Sequence, residues 1–395
     1  MTQESGNKQS LQLGFKNVVR LGYVSLFTDV STEMILGVLP FFIIKDLGGT
    51  AAVLGLIEGV ADAVNYAFRV LAGVVSDKIG RRKPLVLLGY GLSSISKPFF
   101  AVAGSWSQAF AVRVADRAGK GIRTSPRDAL ISDSTDRSEA GKAFGLHRSL
   151  DQLGAVAGPV IAFAVIPLIG IRGVFWLSFV PAAVALLMLL FFVRDTSVVA
   201  RRSGVFENAR EVLNRRFALL LVTLGVFSVG AYNFSFILLR AGSLGVQEAQ
   251  IPLVYAFVNI AVVAVGLPAG ILADRVGKVP VLGLTYLLFV VTSMAGLFLT
   301  GNPLYAFAIA LLFGCYLGTA EIVQRAIIPD FTVPELKGTA YAIYYTLIGL
   351  GSLVANSIFG ALWSSLGPAT AFQYSILTAT AGIIALLAFM AKVRG

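Results

Sequence analysis

Twelve runs of about twenty almost wholly apolar residues, joined by short polar segments, leave this chain one solvent to fold in. Hydrocarbon offers the backbone no hydrogen-bond partner, so a spanning segment is either a helix or a strand of a closed barrel. The runs here are uniformly apolar and do not alternate, which selects helices. Their approximate limits are 18–44, 52–76, 84–103, 106–129, 141–167 and 172–193, then 217–240, 250–272, 279–299, 303–325, 337–362 and 367–391. With 395 residues, 56% hydrophobic and 13% charged, such spans leave no length for a soluble domain of useful size. The fold class expected is an all-α membrane protein of twelve transmembrane helices in two six-helix bundles.

The formal net charge of +11 invites a nucleic-acid reading, but the lysines and arginines fall at the ends of the apolar runs, as the positive-inside bias produces. The expected partners are therefore the lipid bilayer, a small-molecule substrate and protons, with no nucleic acid. Lys78, Arg81, Arg82 and Lys83 follow the second span, Arg123, Arg127, Arg137 and Lys142 surround the loop after the fourth, and Arg275 and Lys278 follow the eighth. The opposite joints, such as 104–108 and 300–303, carry no Lys or Arg, which places both termini in the cytoplasm. The division that follows is an N-terminal cytoplasmic tail 1–17, a bundle 18–193, a cytoplasmic linker 194–216 rich in arginine, and a bundle 217–395. The first run is too long, and lacks the small-residue cleavage site, for a signal peptide. The single Cys315 excludes disulfides and thiolate metal clusters, and neither a metal nor a cofactor is expected.

Gly73-Val-Val-Ser-Asp77-Lys78-Ile-Gly80-Arg81-Arg82-Lys83-Pro84 recurs in weaker form as Gly270-Ile-Leu-Ala-Asp274-Arg275-Val-Gly277-Lys278-Val-Pro280, each copy ending the second span of its half. Gly73 permits close helix approach, Gly80 a tight turn, and Asp77 can receive cations or a helix N-terminus. Parallel six-helix repeats are one transporter architecture, with the substrate site between the halves.

This segment resembles the signature loop between helices two and three of the major facilitator superfamily, and the resemblance covers essentially the whole chain. It implies a carrier whose loop is a cytoplasmic latch, with Asp77, Arg81 and Arg82, and by repetition Asp274, Arg275 and Gly277, as gating residues. Arg113-Val-Ala-Asp116-Arg117-Ala-Gly119-Lys120-Gly121 is similar to the fourth-helix motif linked with proton transfer, with Arg117 standing where a small residue is usual. Gly154-Ala-Val-Ala-Gly158-Pro159 resembles the fifth-helix motif of drug and proton antiporters, with Ala162 and Phe163 in place of its closing glycines. The blocks from Asp116 to Asp128 and from Phe27 to Met34 are similar to a bacterial subgroup of drug-efflux and iron or siderophore-related carriers. The resemblance implies a bacterial inner membrane and a chain that works as a monomer.

Ionisable groups inside spans cost a few kcal/mol each, about 2.5–3.5 for Arg, Lys or Asp on insertion scales, so each is a functional candidate. At about 100° per residue, Glu58, Asp62, Asn65 and Arg69 fall within roughly 60° of one another on the second span. Asp29 and Glu33 share a face of the first, and close carboxylates raise each other's proton affinity. Arg113, Arg117, Lys120 and Arg127, with Asp116 adjacent, form a basic wall on the fourth, and His147 and Asp151 stand four apart on the fifth. A structural salt-bridge network with Arg69 or Arg113 is the alternative role for the carboxylates. Snorkelling is the alternative for the outer cations, and an interhelical hydrogen bond for His147.

The function expected is secondary transport of a small organic solute by alternating access, as proton-coupled efflux; the alternative is proton-coupled uptake of an organic anion, siderophore or metal chelate. An enzyme or a non-transporting receptor finds no support, because paired metal-spaced histidines, a nucleophile with its base and a sensor domain are all missing from the sequence. A nucleotide-driven pump finds none either, since no phosphate-binding loop occurs. No residue is expected to be catalytic.

Overall fold

The computed structural model describes residues 2–136, 139–196, 209–333 and 336–394, with side chains between 14 and 392. Arg137, and the linker residues Arg201, Arg202 and Glu207, lie outside the described residues. No β-strand occurs among those described. Helix α1 is Thr2–Leu36, continued through a π-turn at Phe42–Asp46; α2 is Ala51–Ile79, α3 Lys83–Ser96 with a short extension Phe99–Val102, and α4 Trp106–Asp133. Helices α5 and α6 are the two parts of Ala140–Phe191, divided at Gly170, whose φ of +67° ends one helix and starts the next. Helix α7 comes in two pieces, Arg215–Ser228 and Phe234–Ser243; α8 is Ile251–Val276, α9 Lys278–Phe298, α10 Leu304–Ala326, α11 Lys337–Leu366 and α12 Pro368–Arg394.

Nine helical segments among the described residues are long and apolar enough to cross a membrane. The count falls short of twelve for three physical reasons. Gly170 joins two spans into one stretch, α7 is interrupted, and α4 carries too many charges to pass as apolar. The charges on α4 and the break in α7 are the two features around which the candidate sites are built.

By contact the chain forms two units, Met1–Leu36 with Ala67–Gly204 and Gly37–Tyr66 with Val205–Gly395. In the first unit α1 lies along α5, because glycines remove the side chains that would hold them apart. A Cβ on Gly154 would strike the Leu26 carbonyl, and one on Gly158 would come within 2.8 Å of the Val30 carbonyl. Gly89 of α3 and Gly119 of α4 approach each other in the same way. The core there joins Val18, Leu21 and Val24 to Val86, Tyr90, Leu130, Ala185 and Leu189, all sealed from solvent. Large apolar side chains such as Leu153, Leu168 and Phe191 point outward, the surface lipid covers in a membrane protein.

In the second unit an aromatic core surrounds Tyr232, with Phe359 at 4.4 Å, Phe289 at 5.0 Å and Phe372 at 5.6 Å between ring centroids. Each such pair adds about 0.5–1.5 kcal/mol beyond its buried area. Residues 37–66, drawn with the N-terminal bundle from the sequence, group by contact with this unit. Glycines again explain the packing. A Cβ on Gly55 of α2 would collide with the Asn356 carbonyl of α11, and one on Gly59 would stand 3.0 Å from that of Leu353; Gly360 faces Ala51, and Gly242 of α7 faces the Phe41 ring.

Candidate functional site

The loop between α2 and α3 is tied down by one arginine. Gly80 turns the chain with φ of +69°, and a Cβ on Gly73 would stand 3.3 Å from Ser125 of α4. Arg82 donates through Nη1 to Asp77 and to Ser76 Oγ at 2.7 Å, and through Nε to Asp133 at the end of α4 at 3.3 Å. The backbone N–H groups of Arg82 and Lys83 donate to Asp195 at 3.1 and 2.9 Å, and Arg81 pairs with the same carboxylate at 3.3 Å. Burial alone would lower the Arg82 pKa, but Asp77 and Asp133 hold it above its ordinary value, so the charge persists throughout the physiological range. In the second copy Gly277 turns at φ of +95° and Lys278 donates to Asp330 at 2.6 Å. Asp330 follows Asp133 by 197 residues, the offset that relates Asp77 to Asp274, so the repeat includes the acidic acceptor after α4 and α10. Asp274 and Arg275 make no ion pair among the described residues.

Removing this guanidinium takes a charged donor from Ser76, Asp77 and Asp133; because both carboxylates reach solvent, the cost is about 1–3 kcal/mol. Arg82→Ala is expected to lower the apparent melting temperature in detergent and to slow transport; Arg82→Lys restores part of both. Unchanged melting and transport in Arg82→Ala would rule out the latch.

Inside the first unit the polar side chains converge on α4. Arg113 faces Asp116 at 3.5 Å, and Ser93 donates to Asp116 at 2.6 Å. Arg123 lies 3.9 Å from Asp29 with its guanidinium 4.2 Å above the Tyr90 ring centroid. Asp29 is an electrostatic neighbour of Asp151 on α5, which accepts from Ser25 at 2.6 Å and Arg148 at 2.9 Å. Arg127 pairs with Asp128 at 2.9 Å, and Arg69 lies 3.9 Å from Asp128. Glu33 is buried where α1 passes Gly158, which is followed by the buried Pro159. Lys97, fully buried after α3, donates to Ser31 at 3.1 Å and Thr32 at 2.8 Å on α1. Among these groups eight cations (Arg69, Lys97, Arg113, Arg117, Lys120, Arg123, Arg127, Arg148) meet five carboxylates (Asp29, Glu33, Asp116, Asp128, Asp151), leaving three cations in excess.

The second unit holds a cavity of about 190 Å³ where α7 breaks. Gly230, Ala231, Tyr232 and Asn233 leave the helix, and their backbone groups are satisfied from neighbouring helices. Tyr374 and Ser375 of α12 donate to the carbonyls of Val229 and Gly230, each at 2.8 Å, and Asn356 of α11 accepts from the Asn233 N–H at 2.8 Å. Asn233 then caps the second piece of α7 through the Ser235 N–H at 3.0 Å. Asp62 of α2 accepts from Ser352 Oγ at 2.9 Å and Asn233 Nδ2 at 3.4 Å, and Asn356 donates to Ser352 at 3.0 Å. No cation lies within 4 Å of Asp62 among the described residues. Glu321, Arg325, Tyr316 and Tyr344 line the same cavity, and Tyr66 stacks on Tyr345 at 5.7 Å.

The residues singled out from the sequence fall in different surroundings. The stripe of Glu58, Asp62, Asn65 and Arg69 does not serve one environment: Glu58 is buried and Asp62 bonded within the second unit, while Arg69 belongs to the first with Asp128 and Ser125. His147 is buried but makes no hydrogen bond to Asp151, because Ser25 and Arg148 take up that carboxylate. Asp29 and Glu33, four apart on α1, are both buried, and Asp29 also has Asp151 of α5 as an electrostatic neighbour. Lys97 escaped the sequence reading, although a lone lysine before Pro98 inside an apolar span is itself the signal.

Apolar spans, glycine-packed helices, an interrupted α7 and buried charges define a multi-pass membrane carrier. The Major Facilitator Superfamily model matches residues 21–241 and 218–394, and the chain belongs to that superfamily as a secondary transporter. An uncharacterised MFS-type transporter of Methanocaldococcus jannaschii is 30% identical, over 97% of this chain and 97% of that protein. A probable 4-methylmuconolactone transporter of Cupriavidus pinatubonensis is 26% identical over 88% of this chain and 84% of its own length. Among solved structures, the nucleoside transporter NupG matches with a TM-score of 0.74 at 14% identity, covering 96% of this chain and 99% of that one, a likeness of fold.

Proposed function

We propose that the chain exports a small organic solute in exchange for protons, by alternating access, with Asp62 as a coupling carboxylate. The observation that carries this reading is Asp62 itself, a carboxylate at a cavity formed by a broken helix, held only by the neutral donors Ser352 and Asn233. A carboxylate so placed can take and release a proton without breaking an ion pair. The α2–α3 loop is the cytoplasmic latch in this scheme, and the close packing of α1 with α5 at Gly154 and Gly158 supports the antiport reading of the fifth-helix motif. The basic wall of α4 favours a second reading, proton-coupled uptake of an organic anion.

The test uses proteoliposomes holding a trapped pH indicator and preloaded with gluconate, citrate or choline. Solute leaving by antiport acidifies the lumen, whereas solute leaving with protons alkalinises it. Acidification with at least one solute is the result expected. Alkalinisation moves the assignment to the second reading, and solute efflux with no proton movement ends both.

A further inference from the structure

Two cations on α4 form no ion pair among the described residues. Arg113, Arg123 and Arg127 face Asp116, Asp29 and Asp128. The Arg117 and Lys120 side chains make no hydrogen bond and no ion pair with any described residue, although Asp116 acts on Arg117 across space. Arg117 is only 6% exposed, and its Nε is sealed from solvent. The two residues are three apart, hence neighbours on one helix face, and within electrostatic reach of each other. Asp29 and Glu33 act on Lys120 across space without forming an ion pair with it.

The two cations sit far from either end of their helix. Lys120 lies about 21 Å from the Trp106 end of α4 and about 20 Å from its Asp133 end at 1.5 Å per residue. Arg117 lies about 16 and 24 Å from the same ends. Both side chains therefore stand on the middle turns of α4, and a lipid phosphate is separated from a soluble one by the experiment below. A buried guanidinium with a partly buried ammonium beside it, both without an ion pair among the described residues, is an arrangement that recognises an oxyanion, since charge-assisted bonds to a carboxylate or phosphate are about twice as strong as neutral ones.

We propose that Arg117 and Lys120 bind the carboxylate or phosphate group of the transported solute, which is therefore a small organic anion. This rests on the transporter reading but is tested apart from it, by binding in detergent where no gradient exists.

The experiment is a thermal-shift titration of the purified full chain with gluconate, citrate and inorganic phosphate, with choline as the cation control and phosphatidylglycerol as the lipid control. At least one soluble oxyanion should stabilise the protein saturably and choline should not. Arg117→Gln and Lys120→Gln should each weaken that binding about ten-fold or more, as loss of a charge-assisted contact predicts. Arg117→Lys, which keeps the charge, should retain part of it and serves where Arg117→Gln does not fold. Stabilisation by choline alone, by phosphatidylglycerol alone, or by an oxyanion equally in all variants overturns the proposal. Failure here leaves proton exchange through Asp62 standing, and failure of proton exchange leaves oxyanion binding standing.

Discussion

Replacing Gly55 with leucine is expected to stop transport while leaving a folded protein in the membrane. At this position α2 and α11 meet with no side chain between them: a bare Cβ would already collide with the Asn356 carbonyl and stand 3.2 Å from Gly360 Cα. Both obstacles are backbone, so an isobutyl group is admitted only if the helices part. Overpacking of this kind costs about 1–3 kcal/mol, and a bias of about 3 kcal/mol shifts a two-state equilibrium roughly 150-fold. The cost falls only on the arrangement in which residues 37–66 are docked, which any transport cycle that opens this seam must revisit. Solute flux in proteoliposomes should drop below about a tenth, in proportion to the docked population, and Gly55→Ala should be intermediate. In a Cys315→Ser background, Leu353→Cys, beside Gly59, should react with a membrane-impermeant maleimide faster once Gly55 is leucine. Wild-type flux with unchanged labelling would show that this seam never opens.

The seam also marks where the sequence stopped being legible. Apolar run length fixes the spans, and the repeated Gly-Asp-Gly loop fixes two of the turns, because both depend on neighbours along the chain. The pairing of Gly55 with Gly360 depends on a contact 305 residues away, and a glycine in an apolar helix looks the same whether it meets another helix or lipid. Charges were legible as candidates and illegible as partners for the same reason. Helical spacing placed Asp29 beside Glu33 and His147 beside Asp151, but it could not show that α5 brings Asp151 to Asp29 as well, or that Ser25 of α1 and Arg148 bind that carboxylate. The break in α7 carried a weak signal in Gly230 and Asn233. Its functional weight appears only when Asn356, Tyr374 and Ser375 are seen to supply the hydrogen bonds that the helix gives up. The acidic acceptors Asp133 and Asp330 were readable in principle, since the 197-residue offset of the loop motif relates them too.

Asp62→Asn carries the other large effect, and it separates coupling from binding. The asparagine amide has the size of the carboxylate, and its Oδ1 can accept from Ser352 and Asn233 as the carboxylate does, so the fold around the α7 break is kept. What disappears is the charge, and with it the site's ability to gain and lose a proton. Transport driven by a pH gradient should fall about 100-fold, which corresponds to about 2.7 kcal/mol. Exchange of labelled for unlabelled solute without a gradient needs no net proton movement and should stay within about three-fold of wild type, the pattern of a residue that acts in one step only. Asp62→Glu keeps a titratable group on a longer arm and should recover part of the driven rate. Driven transport that survives in Asp62→Asn removes Asp62 from the coupling mechanism. Loss of exchange in parallel would mean that the carboxylate grips the solute instead, which would place a cationic group on a substrate that Arg117 and Lys120 require to be an anion.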